Sequence, residues 1–214
     1  MTAIYFDLDG TLIEYDSSFT EIYDATLHEL GVIPHSESEY GAVFFDVLGT
    51  VDDPFATAIA RTSVDVDPTA FSETLVAKEI ENVSARTGAH TLLESLSGTY
   101  PLGVLTNGVS RAQHGKLHAT ELTDYFDSIV VSGEVGVRKP EADIYRIAER
   151  RLPADKYVFV ADDFDRDVRP AIECGWYRIL FGDEVPDDVP SVQQFDEIPH
   201  VLDEIDTCSR SSPS

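Results

Sequence analysis

The chain has 214 residues, 43% of them hydrophobic, which is enough apolar material to bury a core and excludes disorder over its whole length. Its 40 acidic residues against 15 Lys and Arg give a formal net charge of −25. Such a field repels nucleic-acid phosphates and anionic membrane surfaces, so neither is an expected partner.

Taken in chain order, AIYF at 3–6 is a short apolar run of the kind buried on both faces of a parallel sheet. The next such run, LGVL at 102–105, lies too far along the chain for a single crossover, so a segment is inserted between them. The insert reads as helical. SSFTEIYDATLHELG offers Ser17 and Ser18 as N-caps and stops at Gly31, while DPTAFSETLVAKEIENVS offers Asp67 as N-cap with Pro68 in the first turn. A helix over 88–98 and the turn GTYP return the chain to the second run. From there SIVVS (128–132), YVFVA (157–161) and RILF (178–181) alternate with helix-like segments near 110–122, 140–151 and 166–174. Only one helix and one strand are expected between 107 and 139, which leaves no room for a second insert. The expected fold is therefore an α/β, doubly wound, Rossmann-like parallel sheet formed by 1–13 and 86–206. An α-helical cap occupies 14–85 and TCSRSSPS makes a flexible polar tail at 207–214.

The acids are spread along the chain and only four of the bases are lysines, Lys78, Lys116, Lys139 and Lys156. That balance suits a protein bathed in molar salt, where the screening length falls to about 3 Å and an acidic surface ceases to repel itself. Haloarchaeal origin is the expectation. Cys174 and Cys208 form no paired-cysteine metal spacing, and no signal peptide or long apolar span is visible, so a cytoplasmic setting is expected. His114 and His118 are spaced i, i+4 without a third ligand and read as a polar surface pair. Phe44 and Phe45 fall in the insert, where core packing is a plainer use for them than a substrate wall.

Ligands of open α/β sheets bind beyond the carboxyl ends of the strands, so the residues that follow each apolar run carry the chemistry. These are Asp7, Asp9, Gly10 and Thr11 after the first, Thr106, Asn107 and Gly108 after the second, Lys139 and Pro140 at the start of a helix after the third, and Asp162, Asp163 and Asp167 after the fourth. Five carboxylates with Lys139 as the nearest base cannot all stay ionised together without a cation. Ligands that are all oxygen favour Mg²⁺, which substrate phosphate commonly completes.

FDLDGTL (6–12), LTNG (105–108), GVRKP (136–140) and VADDFDRD (160–167) resemble, in order and spacing, the four motifs of the haloacid dehalogenase superfamily. The resemblance spans nearly the whole chain, with the cap matched only in position and helical character. It implies Asp7 as nucleophile, Asp9 as general acid and then base, and Lys139 as the charge that balances phosphoryl group and nucleophile. Thr11, Thr106, Asn107 and Gly108 would bind phosphate or substrate. Asp7, the backbone carbonyl of Asp9 and Asp162 would hold Mg²⁺, with Asp163 and Asp167 orienting its waters and Lys139. Dehalogenating members lack a carboxylate at the position of Asp9, since halide needs no proton, so the resemblance implies hydrolysis of a small phosphorylated metabolite. Phosphomutase, 2-haloacid dehalogenase and idle binding protein remain alternatives, and the oligomeric state is open between monomer and dimer. One departure stands out: Ala161 replaces the family's usual Gly before Asp162, which matters if that position needs a left-handed backbone.

Overall fold

The computed structural model describes residues 1–34, 37–182 and 190–210. Strands β1 (Thr2–Phe6), β4 (Leu102–Thr106), β5 (Ser128–Val131), β6 (Lys156–Ala161), β7 (Tyr177–Phe181) and β8 (Ser191–Val192) form one parallel sheet in the order β5-β4-β1-β6-β7-β8. Consecutive residues of β1 go to opposite faces, as the twofold period of a strand requires. Ile4 and Phe6 join the apolar cluster that includes Leu93 of α5 (Ala89–Ser97) and Ile198 of α10 (Ile198–Arg210). Tyr5 joins the cluster on the other face with Ile144 of α8 (Ala142–Arg151) and Ala171 of α9 (Arg169–Glu173). A sheet covered in this way needs apolar residues at every strand position, which is why its strands read as continuous runs. Gly103 answers to the same packing, since a Cβ there would meet the Tyr5 ring at 2.3 Å.

The chain leaves the sheet along β2 (Ile13–Tyr15) and returns along β3 (Val83–Ala85), two strands that pair antiparallel as a separate ribbon. Between them lie α1 (Phe19–Glu29), α2 (Glu37–Val47), α3 (Pro54–Ala60) and α4 (Pro68–Glu81), which enclose a third apolar cluster. Ser18 caps α1 in a reciprocal box with Glu21, and Asp67 and Asp53 cap α4 and α3 ahead of Pro68 and Pro54. Val109 and Ala112 of this third cluster lie before and within α6 (Ser110–Ala119), so the insert is seated on the helix that follows β4.

The structure departs from the sequence expectations in several places. The ribbon and β8 are too short to register as apolar runs. A one-turn helix, α7 (Ser132–Val135), follows β5. Pro140 does not open α8: Lys139–Pro140 is a cis peptide ahead of the N-cap Glu141. The stretch expected as a tail from 207 begins inside α10, because Ile198, Leu202 and Ile205 place a helical stripe on the core as far as the last turn. Residues 211–214 and the Cys208 side chain lie outside the described residues. No described helix is long and apolar enough to cross a membrane.

Candidate active site

Register sets the site. Phe6 pairs with Val104 of β4 and Val160 of β6, so Asp7 leaves β1 level with the ends of both neighbours, where connections depart in opposite directions. The loop then winds tightly on the Leu8 carbonyl, which accepts from the backbone amides of Thr11, Leu12 and Ile13. Gly10, at φ 84°, makes the turn in a left-handed conformation beside Asp162.

Asp7 is almost wholly buried. Its Oδ1 lies 2.9 Å from Lys139 Nζ and accepts from the Leu8 amide at 2.8 Å, while Oδ2 faces the Arg166 guanidinium at 3.6 Å. Lys139 Nζ is also 2.8 Å from Asp167 Oδ1, and Arg166 lies 3.2 Å from Asp167 Oδ2. Burial pushes the Asp7 carboxyl well above the usual range, with Lys139 offsetting part of the rise. Burial acts the same way on Asp167, but Lys139 and Arg166 outweigh it and hold that carboxyl low.

Carboxylate oxygens of Asp7, Asp162 and Asp167 come within 4.8 Å of one another. The donor set is all oxygen and suits a hard divalent ion, and burial raises the Asp162 carboxyl as expected of an acid short of positive charge. The residues present therefore fit Mg²⁺.

Asp9 points into a different network. Its Oδ1 accepts from Tyr15 OH at 2.9 Å and Lys116 Nζ at 3.1 Å, and its Oδ2 from Gln113 Nε2 at 2.6 Å. Burial alone would raise this carboxyl, yet Lys116, Gln113 and Tyr15 together keep it below the ordinary range. Lys116, 3% exposed, also meets Glu79 Oε2 of α4 at 3.1 Å, joining the insert to the acid through one buried ammonium. Sequence reasoning missed Gln113, Lys116, Glu79 and Tyr15. The available signal was Gln113 and Lys116 at i, i+3 on the helix after LTNG, sharing a face. Arg166, inside the acidic run, was also passed over.

The residues expected to bind phosphate make hydrogen bonds within the protein. Thr11 is fully buried and its hydroxyl donates to Asp162 Oδ1 at 3.1 Å, which orients a carboxylate of the cluster. Both ends of the Asn107 amide are engaged by Lys139, Nδ2 donating to its carbonyl at 3.0 Å and Oδ1 accepting from its amide at 2.9 Å. The Gly108 amide donates to Ser132 Oγ at 3.0 Å, and Thr106 Oγ1 accepts from Gln113 at 2.8 Å. Asp163 does not reach Lys139: its carboxylate accepts from the Arg166 amide at 2.8 Å and caps the turn Phe164–Val168. Asp167, five residues after Asp162, faces Lys139 because that turn is a wide π-turn. Ala161 sits within β6 and is absent from the left-handed backbone region, which Glu121 alone occupies among the described non-glycine residues.

A cavity of about 320 Å³ opens over Asp7, Asp9, Lys139 and Arg166, and a second of about 450 Å³ shares Asp9 and Asn107 and extends under the insert. A larger cleft of about 660 Å³, bounded by Arg86, Leu92, Phe181 and Phe195, contains none of the motif residues.

Residues 1–175 match the family of haloacid dehalogenase-like hydrolases. Among relatives, the pyrimidine 5'-nucleotidase YjjG of Escherichia coli is 28% identical over 185 residues, covering 80% of this chain and 82% of that protein. A glyceraldehyde 3-phosphate phosphatase of Methanocaldococcus jannaschii is 29% identical over 205 residues, covering 84% and 85%. In fold, the chain is similar to the HAD-hydrolase YfnB of Bacillus subtilis, solved bound to magnesium, with a TM-score of 0.69, 18% identity and coverage of 94% and 98%. With Asp7, its paired Lys139 and the acidic cluster gathered at the switch point of its sheet, and with residues 1–175 matching the family, this chain belongs to the haloacid dehalogenase-like hydrolases.

Proposed function

We propose that this hydrolase is a Mg²⁺-dependent phosphatase that releases phosphate from a small phosphate monoester through a phosphorylated Asp7. The observation that carries the reading is the buried Asp7–Lys139–Asp167 chain, at 2.9 and 2.8 Å, opening on a cavity that also contains Asp9. It holds a carboxyl oxygen and a fixed cation where a phosphoryl group would enter. The phosphatase relatives, which act on small phosphorylated metabolites, support the same class of reaction.

Asp7 attacks phosphorus and the bond to the ester oxygen breaks, with Asp9 giving that oxygen its proton. Water then attacks the aspartyl-phosphate, Asp9 takes its proton, and Asp7 is regenerated. Lys139 and Arg166 hold the equatorial oxygens and restrain Asp7. Lys116 and Gln113, which grip Asp9 as a carboxylate, favour its proton-accepting state. Asp7, the Asp9 carbonyl and Asp162, with Asp167 beside them, would hold Mg²⁺, which when bound would supply charge neutralisation. Residues 14–85 act as a cap that closes on the core at the β2–β3 ribbon and excludes bulk water.

The test is inorganic phosphate release from a panel of small esters with Mg²⁺ in about 2 M KCl, a salt level chosen to screen the acidic surface. Wild type should lose activity on chelation, and Asp7→Asn should fall by at least about 10³-fold, in line with loss of a covalent nucleophile. Equal turnover by folded Asp7→Asn would refute the mechanism.

A further inference from the structure

We infer that the alcohol carried by the substrate is uncharged and bears a flat aromatic ring of about nucleobase size. The inference rests on the phosphatase reading and concerns the 450 Å³ cavity beneath α2, which begins at Asp9 and Asn107, beside the phosphoryl site. This space adjoins the cavity over Asp7, the two sharing Asp9, Phe44, Phe45, Asn107 and Gly108, so a leaving group on a phosphate at Asp7 can extend into it.

The wall of the cavity is aromatic. Phe19, Tyr40, Phe44, Phe45 and Phe55 line it, drawn from α1, α2 and α3. Phe19–Tyr40, Tyr40–Phe44 and Phe44–Phe55 are stacked pairs, with ring centroids 6.2, 6.2 and 5.1 Å apart and planes tilted by 17°, 13° and 21°. Core packing accounts for Phe55 and Tyr40, but not for Phe19 and Phe45, which are 41% and 63% exposed at this cavity. Large aromatic faces left in water on so acidic a surface mark a contact that something else completes. A triose or polyol gains little from ring faces, whereas a stacked ring gains about tenfold in binding for each good pair.

The polar groups narrow the choice. The cavity's one lysine, Lys116, is already shared between Asp9 and Glu79, each at 3.1 Å, and Glu37 adds a further acid. No cation among the described lining residues is left for a second phosphate or a carboxylate, while Arg138, Lys139 and Arg166 all stand at the phosphoryl cavity. A second anion would enter a field of its own sign. The volume is also in the range of about 300–1,000 Å³ usual for small-molecule sites, more than a three-carbon alcohol fills.

The experiment is steady-state phosphate release in Mg²⁺ and about 2 M KCl, comparing uridine 5'-monophosphate and phenyl phosphate with glycerol 3-phosphate and fructose 1,6-bisphosphate. The ring-bearing esters should exceed glycerol 3-phosphate in kcat/KM by about tenfold or more, as one stacked ring provides, and the bisphosphate should be slowest. Phe45→Ala, at an exposed position that leaves the fold intact, should narrow the ratio of uridine to glycerol ester by about fivefold, most of one stacking contribution. Glycerol 3-phosphate or the bisphosphate turned over as well as the ring-bearing esters would overturn the inference and leave the phosphatase reading standing. An unchanged ratio in Phe45→Ala would also overturn it. Folded protein that releases phosphate from none of the four would remove both.

Discussion

Gly10 sits under the tightest constraint in the loop that carries Asp7 and Asp9. Its φ is 84°, and a Cβ there would come within 2.3 Å of Asp162 Oδ2. Gly10→Ala must therefore both strain the turn and displace a carboxylate of the cluster. The expected result is a loss of about 1 kcal/mol or more in stability and a rise of at least about tenfold in the Mg²⁺ concentration that half-saturates activity, as disturbed ligand geometry produces. An unchanged Mg²⁺ titration in the variant would show that Asp162 is not a ligand. Residue types were legible here, since Asp7, Asp9 and Asp162 follow strand ends that the apolar runs mark out and Lys139 lies in the connection after β5. Their contacts were not. Thr11 and Asn107 belong to the motifs, but that one hydroxyl donates to Asp162 and that one amide closes on Lys139 depends on atoms far away in sequence.

At the scale of elements, one buried link between insert and core runs through Lys116 of α6 and Glu79 of α4, both nearly excluded from water. Removing Lys116 strands both Glu79 and Asp9, whereas removing Lys116 and Glu79 together strands only Asp9, the more exposed of the two acids. Lys116→Met should destabilise the protein by about 3–5 kcal/mol, measured by urea denaturation at constant KCl. Adding Glu79→Gln should recover about 1–3 kcal/mol of that loss, the range of coupling between groups in contact. Lys116→Met should also lower kcat more than it raises KM, because the group it frees is Asp9. A double variant no more stable than the single one would mean that Glu79 finds another partner. Neither helix announces this pair: α4 was expected from Asp67 and Pro68, and α6 from its place after LTNG, but which faces meet is settled only when the insert is seated.

For the molecule as a whole, the net charge of −25 opposes compaction at low ionic strength. Raising KCl from about 0.1 to 1 M shortens the screening length from about 10 to 3 Å, so thermal stability should climb with salt. A gain of a few kcal/mol corresponds to a Tm increase of roughly 5–10 °C for a chain of this size. Calorimetry across that range checks it, and a Tm independent of KCl would dissociate the acidic composition from salt adaptation.

Sequence alone determined what local rules can carry: five buried strands as apolar runs, helix starts as capping residues, an insert where one crossover could not fill the gap, and four motifs, three of them charged, in the segments that follow strands. The tertiary structure decided which of those groups meet. The β2–β3 ribbon, the sharing of Lys116 between Asp9 and Glu79, the capture of Asn107 by Lys139 and the aromatic cavity over Asp9 all join residues distant in the chain. Periodicity and capping act over a few neighbouring residues, whereas these contacts follow from the packing of whole elements against one another.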